Sequence, residues 1–290
     1  MARLDLYPLR PTTAAPPAGA GRARRSRILV SALAAILLVL APTTAKAISY
    51  GTADDGEHPD VGSFVSEFTD PDTGETTLVQ LCTGTLISED VVLSASHCFS
   101  GLPPTLGPAF FTLDEVIDGN RDGAVDPDVD LFAGTPVTHP LFGTTGQSNP
   151  YDIAVFLLDD PVTGVAPAPI ATLGQLGDLA ARQQAYTAVG YGTVRTSNRK
   201  GPQAFQVGWR REKADQQLLS VTKAWATFSM NLATGNGGTC YGDSGGPHFE
   251  GDTVVAVTVT GDAMCKATDK TYRVDTPWAQ EFLSEFVAVS

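Results

Sequence analysis

The sequence is poor in the residues that usually hold metal ions. It contains only four cysteines and four histidines in 290 residues. No two cysteines form a C-x-x-C pair, and His58, His139 and His248 lack metal-ligand spacing, so a zinc site is not expected. No repeat of fixed period is visible. The cysteines therefore need another explanation.

Basic residues are scarce after the first 47 positions. Residues 48–290 keep 12 of the 19 basic residues and 31 of the 32 acidic ones, a formal charge of −19. Such a polyanion is a poor partner for nucleic acid or for an anionic membrane surface, and we expect neither. The charge could steer cationic substrates, but high solubility outside the cell is the simpler explanation.

The sequence also lacks an apolar run long enough for a membrane span, which needs about 20 residues. Its longest run, "ILVSALAAILLVLA" (28–41), follows a segment with six arginines and one acid, and precedes the A-x-A site at 45–47. This order is typical of a secretory signal peptide, which we predict for residues 1–47. A membrane anchor is the alternative, and the arginine pair at 24–25 leaves twin-arginine export open. We expect a secreted, extracellular protein.

Residues 48–290 have a β-rich pattern that fits one large domain or two small ones packed together. Short runs rich in Val, Thr, Phe and Tyr recur between Gly, Pro and Asp clusters. A Pro- and Gly-rich segment, 161–174, separates two groups of runs and is predicted to be a linker. The runs that predict strands are 61–68, 76–88, 91–96, 153–158, 185–192, 204–209 and 254–261.

One helix is predicted, over residues 276–287. Thr276 can cap its N-terminus, with Pro277 at the first helical position. Trp278, Phe282 and Phe286 then fall on one face. Because helices do not alternate with strands elsewhere, the pattern favours β-barrels or sandwiches over an α/β sheet.

Three stretches carry residues suited to nucleophilic catalysis. "VVLSASHC" (91–98) ends a strand beside His97, "NPYDIAVFLL" (149–158) places Asp152 before a buried strand, and "GGTCYGDSGGP" (237–247) presents Ser244 on a glycine-rich turn. A serine hydroxyl needs a base to take its proton, and the base needs a carboxylate to hold its tautomer. Glycines beside Ser244 allow backbone amides to point where the hydroxyl points.

"SASHC", "YDIAV" and "GDSGGP", in this order, resemble the chymotrypsin/trypsin family of serine endopeptidases. The resemblance covers nearly all of residues 48–290 and implies an all-β fold: two six-stranded antiparallel β-barrels with the site between them and a C-terminal helix. We expect the first barrel over 48–160, the linker over 161–174, and the second barrel with the closing helix over 175–290, forming one peptidase domain.

The resemblance implies a role for each matched residue. Ser244 is expected to be the nucleophile, His97 the general base and then acid, and Asp152 the carboxylate that orients it. The backbone amides of Gly242 and Ser244 would form the oxyanion hole. The implied reaction is hydrolysis of peptide bonds in proteins or peptides through an acyl-enzyme. No cofactor is required, and we expect a monomer. The alternatives are a catalytically silent binding protein on the same fold and an esterase with the same triad.

An even number of cysteines in an exported chain predicts disulfides, and spacing alone allows three pairings. The family resemblance selects one of them, with Cys82 bonded to Cys98 and Cys240 bonded to Cys265.

The family resemblance also gives a role to the predicted signal-peptide cleavage site. A mature chain of this family usually begins with isoleucine or valine, whose ammonium pairs with the aspartate before the catalytic serine. Cleavage after Ala47 would start the chain at Ile48, with Asp243 as the partner, although "ISYG" departs from the usual sequence after the first residue. We predict that signal peptidase creates the activating terminus. The alternative is a cut elsewhere that leaves a short propeptide.

A specificity pocket is expected beside Ser244. The resemblance assigns Gly238 to its base and Thr239, Thr260, Gly261 and Asp262 to its walls. Trypsin-like members carry an aspartate at the base, so a glycine there predicts a preference for small or apolar side chains. Three further residues remain candidates for placing a charge in the pocket: Asp262, Asp269 and Lys270.

The acidic loop 118–130 resembles the first half of an EF-hand calcium loop. Asp118, Asn120 and Asp122 alternate before Gly123, but Val129 occupies the position of the bidentate glutamate. Calcium as a structural ion is therefore one hypothesis. A solvated acidic loop is the alternative that we favour.

Overall fold

The computed structural model describes residues 48–177, 179–195 and 205–289, and the predicted signal peptide lies outside them. No helix within these ranges is long and apolar enough to cross a membrane. The described strands and helix are β1 Thr52–Ala53, β2 Val61–Thr69, β3 Thr76–Ser88, β4 Val91–Ser94, β5 Leu106–Thr112, β6 Gly134–Thr138, β7 Ala154–Leu158, β8 Tyr186–Gly190, β9 Val194–Arg195, β10 Phe205–Gln206, β11 Glu212–Val221, β12 Trp225–Ser229, β13 Pro247–Glu250, β14 Thr253–Gly261, β15 Thr268–Arg273 and α1 Pro277–Leu283.

The first half of the chain forms a six-stranded antiparallel sheet in the order β5-β2-β3-β4-β7-β6. It curls around buried aromatic rings, with Phe64 in contact with Phe111 and Phe156. An isolated bridge between Phe111 and Phe132 brings the two ends of the sheet together. Burial of these rings supplies the main driving force for this half of the fold.

The second half forms a closed antiparallel barrel. Its strands follow the order β11-β12-β15-β14-β13-β8, and pairing of β8 with β11 closes the ring, while β1 adds to the outer edge of β11. Tyr186, Phe228 and Tyr272 fill its interior and are fully buried. A closed barrel leaves no free strand edge, which removes a route to aggregation.

The predicted all-β fold class is confirmed, with one correction. The second sheet closes through a ladder of hydrogen bonds between β8 and β11. In the described residues the ends of the first sheet meet only at an isolated bridge, so the first sheet is a curled half-barrel. The second sheet also gains a seventh strand, β1. The pairing that closes a sheet joins residues far apart in sequence, which local patterns do not reveal.

The local strand predictions succeeded where apolar residues are dense. The bounds of β3 match the predicted 76–88, and β14 matches 254–261 to within one residue. Of the predicted strand 204–209, the structure describes 205–209, and within that part only Phe205–Gln206 forms a strand. The longest missed strand, β11, alternates buried and exposed residues while carrying charges on both faces. The charged residues of β11 made its alternation of buried and exposed positions hard to recognise in the sequence, because buried charges are rare in strands.

The segment predicted to be a linker, 161–174, is packed against both sheets. The Ala168 amide donates to the Leu86 carbonyl at 2.9 Å, and Ala171 donates to Val254 at 2.9 Å. Ile170 also forms a parallel bridge with Val254. These hydrogen bonds give the segment a fixed path. The domain boundaries proposed from the sequence remain predictions.

The C-terminal helix is shorter than the predicted 276–287. The Thr276 side chain accepts a hydrogen bond from the Ala279 amide at 3.4 Å, as expected of an N-cap. Phe282 is buried, and its ring lies 5.3 Å from that of Phe286, beyond the helix end. The apolar face therefore continues into the following turn after the helix has ended.

A buried arginine joins the two sheets. Arg211, just before β11, donates to Asp54 at 2.9 Å, and also to the carbonyl oxygens of Val61 at 2.9 Å and Leu113 at 3.2 Å in the first half. It also lies 3.1 Å from the Tyr191 hydroxyl. The guanidinium thus satisfies groups from both halves of the chain, which fixes their relative position.

Asp54 is the charged partner in this contact. Burial opposes its ionisation, but hydrogen bonds from His58 and Arg211 lower the pKa of Asp54 to about 2. The pair is therefore ionised across the neutral pH range. Removing one member of such a pair leaves the other charge buried without compensation.

Arg211→Met should lower the free energy of unfolding by about 3–5 kcal/mol, because it leaves the Asp54 carboxylate buried without its cationic partner. Urea unfolding measures the change. Lys213→Met is the matched control, since Lys213 pairs with Glu57, whose side chain is 64% exposed. This control should lose less than about 1 kcal/mol. Equal losses in the two variants would contradict the proposed role of Arg211.

Candidate active site

His97 and Asp152 are brought together by two neighbouring strands. His97 lies in a 3-10 turn after β4, Asp152 lies just before β7, and β4 pairs with β7. The Asp152 Oδ2 atom is 2.8 Å from His97 Nδ1, while Oδ1 accepts a hydrogen bond from the His97 amide at 2.9 Å. The carboxylate therefore holds both the ring and the backbone of the histidine, and leaves Nε2 available for another partner.

Ser96 supports this pair and was not identified from the sequence. Its hydroxyl donates to the Ile153 carbonyl at 2.6 Å and accepts from the His139 amide at 3.2 Å. Ser96 thus ties the turn that carries His97 to the residue that follows Asp152. Only its position before His97 could have suggested this role.

Ser244 lies on the turn before β13. Gly242 and Gly245 flank it with φ angles of 98° and 79°, which glycine adopts without strain. The Ser244 carbonyl accepts a hydrogen bond from the Thr83 amide of β3 at 2.9 Å. This contact fixes the serine turn of the second half against the first sheet, which also carries His97 and Asp152.

The turn also presents two amides suited to an oxyanion. Among the hydrogen bonds of the described residues, neither the Gly242 N–H nor the Ser244 N–H donates to a protein acceptor. The Gly242 carbonyl is anchored by Gln80 Nε2 at 2.9 Å and by the Thr83 hydroxyl at 3.1 Å. Gln80 and Thr83, which sequence reasoning missed, hold the backbone that bears the two amides.

Both predicted disulfides are present, Cys82–Cys98 and Cys240–Cys265. The first connects β3 to the turn that carries His97. The second connects the Ser244 turn to the loop after β14. Each bridge therefore reinforces one side of the candidate site.

Asp243 is a fully buried carboxylate beside Ser244. It accepts hydrogen bonds from the amides of Gly192 at 2.7 Å and Cys240 at 2.8 Å. A Cβ atom at Gly190 or Gly192 would lie within 2.5 Å of this carboxylate, so glycine is required at both positions. Burial raises the pKa of Asp243 to about 8, although these amides act in the opposite direction.

Ile48 is fully buried near the same turn. Ser49 exchanges two backbone hydrogen bonds with Gly238, at 3.0 and 2.9 Å, which hold the segment in place. The Ile48 nitrogen donates to Glu212 Oε2 at 3.3 Å, whereas the sequence predicted a pair with Asp243. In this chain Ala47 precedes Ile48, so the nitrogen is a neutral peptide N–H. The ion pair between a free Ile48 terminus and Asp243 remains a prediction.

A cavity of about 320 Å³ opens beside Ser244. Four of the five residues predicted for the specificity pocket line it, and Gly238 does not. The α-carbon of Gly238 faces Met230, and a Cβ there would lie 2.1 Å from Met230 Cγ. The lining residues are Thr239, Cys240, Tyr241, Ser244, Thr258, Val259, Thr260, Gly261, Asp262, Ala263 and Cys265.

Two of the three candidate charges for this pocket already have partners, although Asp262 lines the cavity. Burial opposes ionisation of Asp262, but backbone amides of the following loop, including that of Ala267 at 2.7 Å, lower its pKa. The Lys270 ammonium lies 4.0 Å from the centre of the Trp225 ring. Asp269, by contrast, is fully buried.

The loop proposed to bind calcium satisfies its acidic side chains with its own backbone. Asp118 accepts from the amides of Arg121 at 2.6 Å and Gly123 at 2.9 Å, and Asn120 accepts from Asp122 at 2.8 Å. No group of three ligating His, Cys, Asp or Glu side chains occurs in the loop as described. The group that does occur elsewhere in the described residues includes two disulfide-bonded sulfurs: Cys82, His97 and Cys98. The calcium hypothesis remains untested.

The raised pKa of Asp243 should make a chain that retains Ala47 less stable as pH rises. The folded chain keeps the Asp243 proton to about pH 8, whereas an unfolded aspartate loses it near about pH 3.9. Unfolding then releases a proton between these values. The free energy of unfolding should fall by up to about 1.4 kcal/mol per pH unit.

Urea unfolding of the Ser244→Ala chain between pH 5 and 8 measures this slope. Other groups titrate in the same range, so the test is the difference from a chain that also carries Asp243→Asn. The second chain should show a flatter dependence, and parallel curves would show that Asp243 carries no such proton.

Comparison with known proteins agrees with the fold. Residues 58–283 match the sequence profile of the Trypsin family. The chain is 30% identical to brachyurin of Leptuca pugilator over 69% of this chain and 86% of that protein. It is 28% identical to trypsin of Sus scrofa over 57% of this chain and 68% of that protein.

Similarity also extends to chymotrypsin-like elastase family member 1 of Macaca fascicularis, at 26% identity over 57% of this chain. The aligned part spans about three fifths of the elastase, 61% of its length. Disulfide-bonded domains of this kind are typical of secreted proteases. The match over residues 58–283, together with the fold, shows that the chain belongs to the trypsin family of serine protease domains.

Proposed function

We propose that this protein is a secreted serine endopeptidase that hydrolyses peptide bonds through a Ser-His-Asp triad. The observation that carries the proposal is the arrangement around Ser244. The Thr83 hydrogen bond to the Ser244 carbonyl, at 2.9 Å, holds the serine turn against the sheet in which Asp152 orients His97 at 2.8 Å. Nucleophile, base and orienting carboxylate are thus supplied by three elements of one rigid fold.

The proposed reaction depends on the positions of the protons on His97 and Ser244. Asp152 holds His97 with its proton on Nδ1, so Nε2 can accept the Ser244 hydroxyl proton as the oxygen attacks a substrate carbonyl. His97 then returns the proton to the leaving amine, which leaves an acyl group on Ser244. Water, activated by the same nitrogen, releases the acid and restores the serine.

The Gly242 and Ser244 amides would stabilise the oxyanion of each tetrahedral intermediate. Loss of one such donor costs on the order of 10²–10³ in turnover. Gln80 and Thr83 contribute indirectly, because they anchor the Gly242 carbonyl.

Export and substrate class complete the proposal. The basic segment, apolar run and A-x-A site of residues 1–47 support secretion, and the two disulfides suit an oxidising compartment. The substrates are proteins or peptides, and the enzyme acts as a monomer without a required cofactor. An esterase would use the same atoms, so relative turnover of matched peptide and ester substrates distinguishes the two activities.

The secreted protein should react once with a fluorophosphonate, because only an activated serine is phosphonylated rapidly. Intact mass should show one adduct per chain. The adduct should disappear in Ser244→Ala, and labelling should slow by about 10³-fold or more in His97→Ala, which removes the base.

Ser66→Ala is the matched control, since the Ser66 hydroxyl is buried in β2 and donates to the Gly107 carbonyl. Its labelling should equal that of the unmodified protein. A correctly processed chain that forms no adduct would contradict the endopeptidase proposal and favour a silent binding protein.

Activation is proposed to follow from the signal cleavage itself. Cutting after Ala47 would turn the Ile48 N–H, which donates to the buried Glu212 Oε2 at 3.3 Å, into an ammonium. The ammonium would pair with Asp243 and stabilise the turn that carries the oxyanion amides. A free α-amino group has a pKa of about 8, and a carboxylate partner raises it. Activity should therefore decline at alkaline pH as the ammonium loses its proton.

A chain secreted with Ala47 retained should have little activity, because it lacks the charge that pairs with Asp243. Loss of one member of a buried ion pair costs about 3–5 kcal/mol, equivalent to more than a 100-fold reduction. Peptide turnover is compared with that of the chain beginning at Ile48, after both masses are verified. Equal activity in the two chains would refute activation by signal cleavage.

A further inference from the structure

The side chain of Asp152 has few contacts of its own. It is buried, and among the hydrogen bonds of the described residues it accepts only from the amide and the ring of His97. On the far side of Asp152, the Ser96 hydroxyl holds the Ile153 carbonyl at 2.6 Å. The position of the carboxylate against the histidine therefore depends on the backbone that leads into Asp152.

Tyr151, immediately before Asp152, has an unusual backbone conformation. Its φ angle is 53°, in the left-handed region that a non-glycine residue occupies only at a cost. Its amide donates to the Oδ1 atom of Asn149 at 3.3 Å, and Asn149 is buried. The Asn149 side chain thus closes a short turn that leads directly into Asp152.

A hydroxyl from the second half of the chain donates to the same oxygen. Tyr272, on β15, is fully buried, and its hydroxyl donates to Asn149 Oδ1 at 3.1 Å. Burial raises the pKa of Tyr272 above its usual range, with smaller contributions from Tyr151 and Asp152, so the hydroxyl keeps its proton. Asn149 Oδ1 accepts one hydrogen bond from each half of the chain, which fixes the orientation of its amide.

A second aromatic side chain holds the loop just before this turn. Trp225 of β12 donates from Nε1 to the Gln147 carbonyl at 2.7 Å. Trp225 pairs in register with Tyr272, and their ring centres lie 6.4 Å apart. Two donors on neighbouring strands of the second barrel therefore reach residues 147–149, and they attach the loop before Asp152 to that barrel.

We propose that Tyr272 and Asn149 are positioning residues for the carboxylate of the triad. Tyr272 acts through Asn149. The Asn149 side chain stabilises the left-handed Tyr151, and this turn sets Asp152 against the histidine. A displacement of about 1 Å at a reacting group costs about 100-fold in rate, so one hydrogen bond across the two halves has a measurable effect on catalysis. The inference rests on the endopeptidase proposal.

The first test is Tyr272→Phe, which removes the hydroxyl and keeps the ring. In the secreted protein, kcat on a peptide substrate should fall about 10- to 100-fold while KM changes less than about twofold, because a displaced carboxylate affects proton transfer and not substrate binding. Fluorophosphonate labelling should slow by a similar factor and still reach one adduct per chain. Complete labelling shows that the chains are folded, so a lower kcat per labelled site is a loss of positioning.

Tyr186→Phe is the matched control. Tyr186 is also fully buried in the second barrel, and its hydroxyl donates to the Ala181 carbonyl at 2.7 Å, not to the loop before Asp152. This variant loses an equally buried hydroxyl and should keep kcat and the labelling rate within about twofold. An equal decline in both variants would show that loss of any buried hydroxyl in the barrel lowers activity, and would contradict a specific role for Tyr272.

Two further variants test whether the effect passes through Asn149. Asn149→Ala removes the acceptor of both hydrogen bonds, so its loss of kcat should equal or exceed that of Tyr272→Phe. Adding Tyr272→Phe to Asn149→Ala should lower kcat by less than about a further twofold, because the hydroxyl then has no acceptor to hold. Losses that multiply in the double variant would contradict the path through Asn149.

The outcomes separate this inference from the endopeptidase proposal. An unchanged kcat in Tyr272→Phe, with an active unmodified protein, would overturn the positioning role alone. Fewer labelled chains with an unchanged kcat per labelled site would show a structural role only, which also overturns it. An unmodified protein that neither labels nor cleaves peptides would refute the endopeptidase proposal, and the positioning role with it.

Discussion

The buried contact of Arg211 with Asp54, Val61 and Leu113 is the constraint on which the candidate site depends. His97 and Asp152 belong to the first sheet, and Ser244 belongs to the second half of the chain. Proton transfer between groups on separate sheets requires that the sheets keep one relative position. The guanidinium provides this by donating hydrogen bonds to one carboxylate and two carbonyl oxygens.

Several carboxylates of this acidic protein are buried or partly buried, and each is stabilised differently. Asp54 has a fixed cation, Asp262 has the amides of its own loop, and Asp243 keeps a raised pKa because amides alone do not offset its burial. Asp269 has one oxygen without a hydrogen-bond partner among the described residues. Asp243 is therefore suited to receive a cation that arrives later: in our proposal, the Ile48 ammonium after cleavage.

The sequence by itself determined the fold class, the two disulfides and the helix cap at Thr276, and it predicted the residues of the candidate site. These features depend on local signals: dense apolar runs, the "GDSGGP" turn, and strand ends that carry His97 and Asp152. The strand β11 was missed because its charges resemble those of a surface segment. The predicted linker, 161–174, forms hydrogen bonds to both sheets, and its local composition does not reveal these contacts.

Only the tertiary structure decided where the remaining charges lie. Met230 covers Gly238, Lys270 turns to Trp225, and the pairing of β14 with β15 places Asp269 behind the cavity. These positions depend on strand register between segments distant in the chain, and a shift of one residue would reverse which side chains face inward. Register follows from the packing of the whole barrel, so no local stretch of sequence contains it.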